Sequence, residues 1–178
     1  MDILANRRQA TVMSECGHPK MKDDQEIEDL HFDETERFVL SLIRQFCIAY
    51  TQSAHPLWEC AFDFACHNKG PKEGPAIAYA VLTVMRTMRE ARKSTFRYNN
   101  PGCSCCRKRV SNCERLLLNA FHLTRHGDRS SAQMELLMLC EGHDTRSVLT
   151  AMEQLTSLVG SLGFSDHQAS QSKSAVFH

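Results

Sequence analysis

Four cysteines fall within eleven positions of the stretch PGCSCCRKRVSNCERLLL, at Cys103, Cys105, Cys106 and Cys113, with Arg107, Lys108 and Arg109 set between them. Thiols at this density suit three chemistries. Zinc takes about four ligands in a tetrahedron, thiolate sulfur at about 2.3 Å and imidazole nitrogen at about 2.0–2.1 Å, and a Cys-x-x-Cys turn aims two thiolates at one point. Four thiolates also fit an iron–sulfur cluster. Neighbouring cations favour the thiolate and so make a thiol redox sensor.

Zinc is the reading with support elsewhere in the chain. Cys103-Ser104-Cys105-Cys106 supplies the turn, introduced by Pro101-Gly102, and Cys140-Glu141-Gly142-His143 supplies a second tight pair with a glycine to permit the bend. Helices are expected over 112–125 and about 130–140, joined by a short turn. At 1.5 Å per residue they run about 21 Å and about 18 Å, so an antiparallel pair returns the end of the second to the level where the first began. The expected ligands of a structural zinc ion are therefore Cys103, Cys106, Cys140 and His143, with Cys105 and Cys113 in reserve. Such an ion would pin the irregular segment 94–110 to the helical hairpin and make binding free energy into folding free energy. Cys16-Gly17-His18 and Cys66-His67 are weaker pairs: the first stands alone in a polar arm, and the second joins adjacent residues that point apart.

The elements that would position these ligands are helical. Asp33 and Glu36 have capping-box spacing before a stripe of Phe38, Val39, Leu42, Ile43, Phe46 and Tyr50. A second helix is expected from Pro56, with Leu57, Trp58, Ala61, Phe62 and Ala65 on one face, ending at CHNKGPKEGP. A third begins at Pro75 and turns Ile77, Ala78, Val81, Val84, Met85 and Met88 inward. Ser111 and Glu114 open the fourth, which carries Leu116, Leu117, Ala120 and Phe121. The fifth follows Ser130 or Ser131 through Met134, Leu137, Met138 and Cys140, and Asp144 caps the sixth, with Val148, Leu149, Met152, Leu155, Val159 and Leu162. No run reads as a strand. The expected class is all-α, about six helices in one compact bundle with a cysteine-rich metal-binding loop. A flexible acidic arm (1–31) precedes a single helical domain (32–162), and a flexible tail (163–178) follows.

A chain of 178 residues, 42% hydrophobic and 24% charged, matches one globular domain with room for a core. Its longest nearly apolar stretch, AIAYAVLTVM, is about half of what spans a bilayer, so no membrane partner is expected. The opening MDILANRRQATVM has no apolar segment of the secretory kind, which points to the reducing cytoplasm. Nine cysteines there are an unlikely disulfide framework, the more so for being odd in number.

A net charge of zero hides a strong segregation. Residues 1–36 hold four basic and ten acidic groups, 86–129 hold eleven and three, and 130–178 hold two and five, for nets of −6, +8 and −3. Either the basic stretch faces an anionic partner, with the acidic arm competing, or the fold interleaves the two signs. A nucleic-acid reading would place Arg97, Arg107, Lys108, Arg109, Arg115, Arg125 and Arg129 on phosphates and stack Phe96 and Tyr98 on bases. Catalysis has thin support: His143-Asp144 forms a dyad and His122 and His126 lie one helical turn apart, but Asp166 is the sole distal aspartate and Asp144 serves as a helix cap. The chain also lacks a phosphate-binding glycine loop and a nucleophile elbow. The expectation is a non-catalytic, zinc-stabilised regulatory or interaction module whose partner is a protein rather than a nucleic acid. The alternatives are a nucleic-acid-binding regulator using 86–129 and a thiol or iron–sulfur redox sensor.

Overall fold

The computed structural model describes residues 21–51 and 57–160. The expected pair Cys16-Gly17-His18, the opening at Pro56, Leu162, Asp166 and the tail lie outside the described residues. Five α-helices carry the fold: α1 (Glu34–Thr51), α2 (Leu57–Ala91), α3 (Asn112–Arg125), α4 (Arg129–Leu139) and α5 (Arg146–Gly160). Two two-residue strands, β1 (Gln25–Glu26) and β2 (Arg109–Val110), pair antiparallel with Gln25 opposite Val110 and Glu26 opposite Arg109. Among the described residues the structure is all-α apart from this ladder, which is too short to leave a period-2 pattern in the sequence.

Among the described residues five helices stand where six were expected, because the second and third are the two arms of α2. Gly70 bends that helix, with φ 81 and ψ 162, a region essentially restricted to glycine. Pro71 then begins the second arm, where the missing N–H costs nothing. The arms fold back so closely that a Cβ on Gly74 would lie 2.6 Å from the backbone of Ala65 and Cys66. Two glycines, one for the bend and one for the approach, explain why the Gly- and Pro-rich run is a kink and not a loop.

Local sequence accounts for the other ends. At α1 the Asp33 carboxylate accepts the Glu36 N–H at 2.8 Å and the Glu36 carboxylate accepts the Asp33 N–H at 2.9 Å, the capping box the spacing predicts. Ser111 and Glu114 form a second box at α3. Gly127 (φ 79) reverses the chain between α3 and α4, and the Asp128 side chain, not Ser130 or Ser131, caps α4 by accepting the Ser131 N–H at 3.0 Å. Glu141 and Gly142, both at positive φ, close α4 as the Gly142 N–H reaches back to the Leu137 carbonyl at 2.8 Å.

α1 packs on α2, α2 on α5, and α3 on both α4 and α5. The core joins Leu42, Ile43 and Phe46 of α1 to Val84, Met85 and Met88 of α2, Leu117 and Phe121 of α3, and Met152 and Leu155 of α5. Each such side chain contributes about 1.5–3 kcal/mol by leaving water. On α4 the buried face is Ala132, Leu136 and Leu139, while Met134 and Met138, expected inward, are more than half exposed. An eleven-residue helix offers two apolar stripes, and only contact with α3 chooses between them. Residues 21–31, assigned from sequence to a flexible arm, form a turn, β1 and a 3-10 turn at Ile27–Leu30.

Candidate metal centre

The cysteine turn sits between α2 and α3. The Asn100 side chain accepts the Gly102 N–H at 2.8 Å, and the Arg107 N–H bonds the Cys103 carbonyl at 3.0 Å. That helix-like closure puts Cys103 and Cys106, three apart, on one side of the turn. A 3-10 turn at Cys106–Lys108 then runs into β2. α3 begins at Asn112 and not at Cys106, so Cys113 lies in its first turn, partly buried against the core.

A buried polar network fixes this segment. Arg44, 3% exposed, donates to both oxygens of Glu114, 0% exposed, from Nε at 2.7 Å and Nη2 at 3.2 Å. Its Nη1 donates to the Arg107 carbonyl at 2.9 Å and its Nη2 also to the Arg109 carbonyl. Glu114 further accepts the Ser111 N–H at 2.8 Å and the Asn99 N–H at 3.2 Å, and the Ser111 hydroxyl donates to the Arg97 carbonyl. One ion pair thus ties the stretch 97–111 to α1 and α3. Arg44 went unrecognised in the sequence, although Leu40, Ile43, Arg44 and Cys47 share the helical spacing i, i+3, i+4, i+7. A cation within an apolar stripe is the signal that was present.

Arg109 is the second buried cation. It is 4% exposed, its Nη2 lies 3.5 Å from the Cys106 sulfur, and its Nη1 is buried with no hydrogen-bond partner. Arginine stays protonated in proteins, and burying its charge is costly without an anion beside it.

The second expected pair is elsewhere engaged. Cys140 is fully buried in the core, and burial pushes its thiol pKa up. His143 shares a 2.8 Å hydrogen bond between its Nδ1 and the Cys140 carbonyl. Their loop packs on the end of α2, where Arg92 donates to the Leu139 carbonyl at 2.8 Å and Glu141 pairs with Ser94 and Arg92. Among the described residues no three of His, Cys, Asp and Glu are grouped to hold a metal ion. Cys66 and His67 lie on the first arm of α2 before its bend.

The other candidate groups are committed too. Asp144 accepts the Arg146 N–H at 3.0 Å at the start of α5, and its bond to the Arg146 guanidinium lowers its pKa to about 2. His122 Nδ1 lies 2.6 Å from Glu36 Oε1, with the His126 ring edge-on to it. Four of the eleven basic residues of 86–129 are paired with carboxylates: Arg97 with Asp24, Arg125 with Asp33 and Glu36, Arg92 with Glu141, Arg129 with Glu153. The fold interleaves part of the segregated charge, while Arg86, Arg89, Lys93, Arg107 and Lys108 remain exposed. Phe96 and Tyr98 pack against the core, with the Tyr98 hydroxyl 3.3 Å from that of Thr51.

No described helix is long and apolar enough to cross a membrane. No protein-family model matches the chain, and no curated protein or solved structure does.

Proposed function

We propose that this chain is a non-catalytic helical module with a regulatory or protein-interaction role, its irregular segment 94–111 held by a structural zinc ion on Cys103 and Cys106. The observation that carries the reading is Arg109. Its buried guanidinium, with one nitrogen on the Cys106 sulfur and another unpartnered, calls for negative charge at the cysteine turn. Zinc bound by three thiolates and one neutral imidazole bears a net charge of −1, which such a cation balances. A protein partner is favoured over a nucleic acid because four arginines of the basic stretch are paired with the chain's own carboxylates. The exposed pair Met134 and Met138, one turn apart on α4, is an apolar surface of the adaptable kind that protein contacts use.

The test is elemental analysis of protein purified from cells without added metal. One zinc per chain is expected. A brown, iron-containing protein would favour the iron–sulfur alternative, and a stably folded, metal-free protein would remove both.

A further inference from the structure

A cavity of about 330 Å³ opens between the C-terminal turns of α1 and α2 and the segment that follows α2. That size stands at the lower end of the range for small-molecule sites. The buried Cys47 and Met85 line it together with Tyr50, Phe96 and Tyr98, so much of its wall is apolar or aromatic. The described lining also holds three cations, Arg89, Arg92 and Lys93, and no carboxylate.

The three cations are not equivalent. Arg92 is committed to the fold: it donates to the Leu139 and Ser94 carbonyls at 2.8 and 2.9 Å and lies 3.5 Å from the Glu141 carboxylate. The side chains of Arg89 and Lys93 have no ion-pair or hydrogen-bond partner among the described residues. Glu90 stands between them in sequence but on another face of the helix, outside the cavity wall. The Arg89 guanidinium carbon lies 4.0 Å from the centre of the Tyr50 ring. A guanidinium held over a ring face keeps the N–H donors in its own plane for an acceptor.

Helix ends account for some of this charge and leave the rest. The C-termini of α1 and α2 bring about half a negative unit each, whereas Arg89 and Lys93 bring a full positive unit each, so the cavity keeps about one positive charge. A matching ligand carries one negative charge on a flat apolar body. A carboxylate meets that surplus, while a phosphate, at about −1.5 to −2 near pH 7, exceeds it.

We propose that this cavity binds a small aromatic monocarboxylate. The carboxylate takes the Arg89 fork and the Lys93 ammonium, and the ring lies against Tyr50, Phe96 and Met85. The site goes beyond the interaction role proposed above and does not involve the metal. Because Phe96 and Tyr98 begin the stretch that leads to the cysteine turn, an occupied cavity ties that stretch to α1 and α2.

The test probe is 1-naphthoate, with 1-naphthylmethylammonium as its cationic counterpart, each followed by equilibrium dialysis against the full-length protein. Naphthoate should bind at one site per chain, at least about 10-fold tighter than the cation, and raise Tm by mass action. Arg89→Gln and Lys93→Gln should each weaken it about 10-fold, the worth of a hydrogen bond to a charged group, whereas Arg86→Gln, exposed on α2 outside the cavity, should not. No binding at millimolar naphthoate, or equal binding of the two probes, would overturn the proposal. So would an affinity unchanged by Arg89→Gln or Lys93→Gln, or an equal loss in Arg86→Gln. The comparison of probes uses the unaltered chain and stands even where a variant fails to fold. Tighter binding of a tetraglutamate peptide than of naphthoate would also overturn it, and would assign this face to an acidic protein partner.

Discussion

The segment that carries the cysteine turn depends on the buried pair Arg44–Glu114, and Glu114→Gln tests that dependence. The Glu114 carboxylate accepts four N–H groups: Arg44 Nε and Nη2, Ser111 N and Asn99 N. An amide of the same shape keeps one acceptor oxygen and turns an NH2 toward donors, while the Arg44 charge loses its counter-ion in the interior. Removing one member of a buried ion pair costs about 3–5 kcal/mol, and the retained oxygen argues for the lower end, about 3 kcal/mol. Against a total stability of about 5–15 kcal/mol this is large. For a chain of this size it lowers Tm by about 6–12 °C. The measurement is denaturant and thermal unfolding beside Glu153→Gln, whose partner Arg129 is 65% exposed and whose loss should cost at most about 1 kcal/mol. If Glu114→Gln is no more destabilising than Glu153→Gln, the network does not hold the 97–111 segment and the account of the site's positioning fails.

Two further outcomes follow from the same geometry. Gly70→Ala should lose about 1–3 kcal/mol from backbone strain alone, and Gly74→Ala at least as much from collision with the Ala65–Cys66 backbone, whereas Gly160→Ala, which meets nothing within 4 Å, should be nearly neutral; equal Tm values for all three would refute the bend. Burial first, then the nearby Glu114 charge, pushes the Cys47 thiol up to about 12, so it stays protonated at pH 8 and should be alkylated only as the protein unfolds, while exposed Cys60 reacts at once; comparable rates for the two in the native protein would show that α1 is not packed as described.

Local signals proved the readable part of this chain. The capping boxes Asp33–Glu36 and Ser111–Glu114 placed α1 and α3 to within a residue, because the groups that satisfy a helix's open N–H donors lie three positions apart in sequence. The second capping box favoured a helix start at Asn112, and the structure places Cys113 in the first turn of α3. Where two local readings competed, contact decided. Met134 and Met138 face outward because α3 packs on the other stripe of α4, and Gly70 to Pro75 make a sharp bend because the α2 arms meet at Gly74.

The candidate site divides in the same way. The Cys103–Cys106 turn is visible as spacing, since four consecutive residues set their own geometry. Its surroundings are not. Arg44 lies 70 residues from Glu114 and Arg97 lies 73 from Asp24, and no spacing rule links such pairs. The charge segregation that suggested an anionic partner is met in part within the fold, because segments distant in sequence bring opposite charges within about 4 Å. The sequence alone therefore determined the helical class, most helix ends and the thiol turn, all governed by residues within one or two turns of each other. Tertiary structure alone decided which faces are buried, which charges are spent and what holds the cysteine turn, because those depend on where distant segments meet.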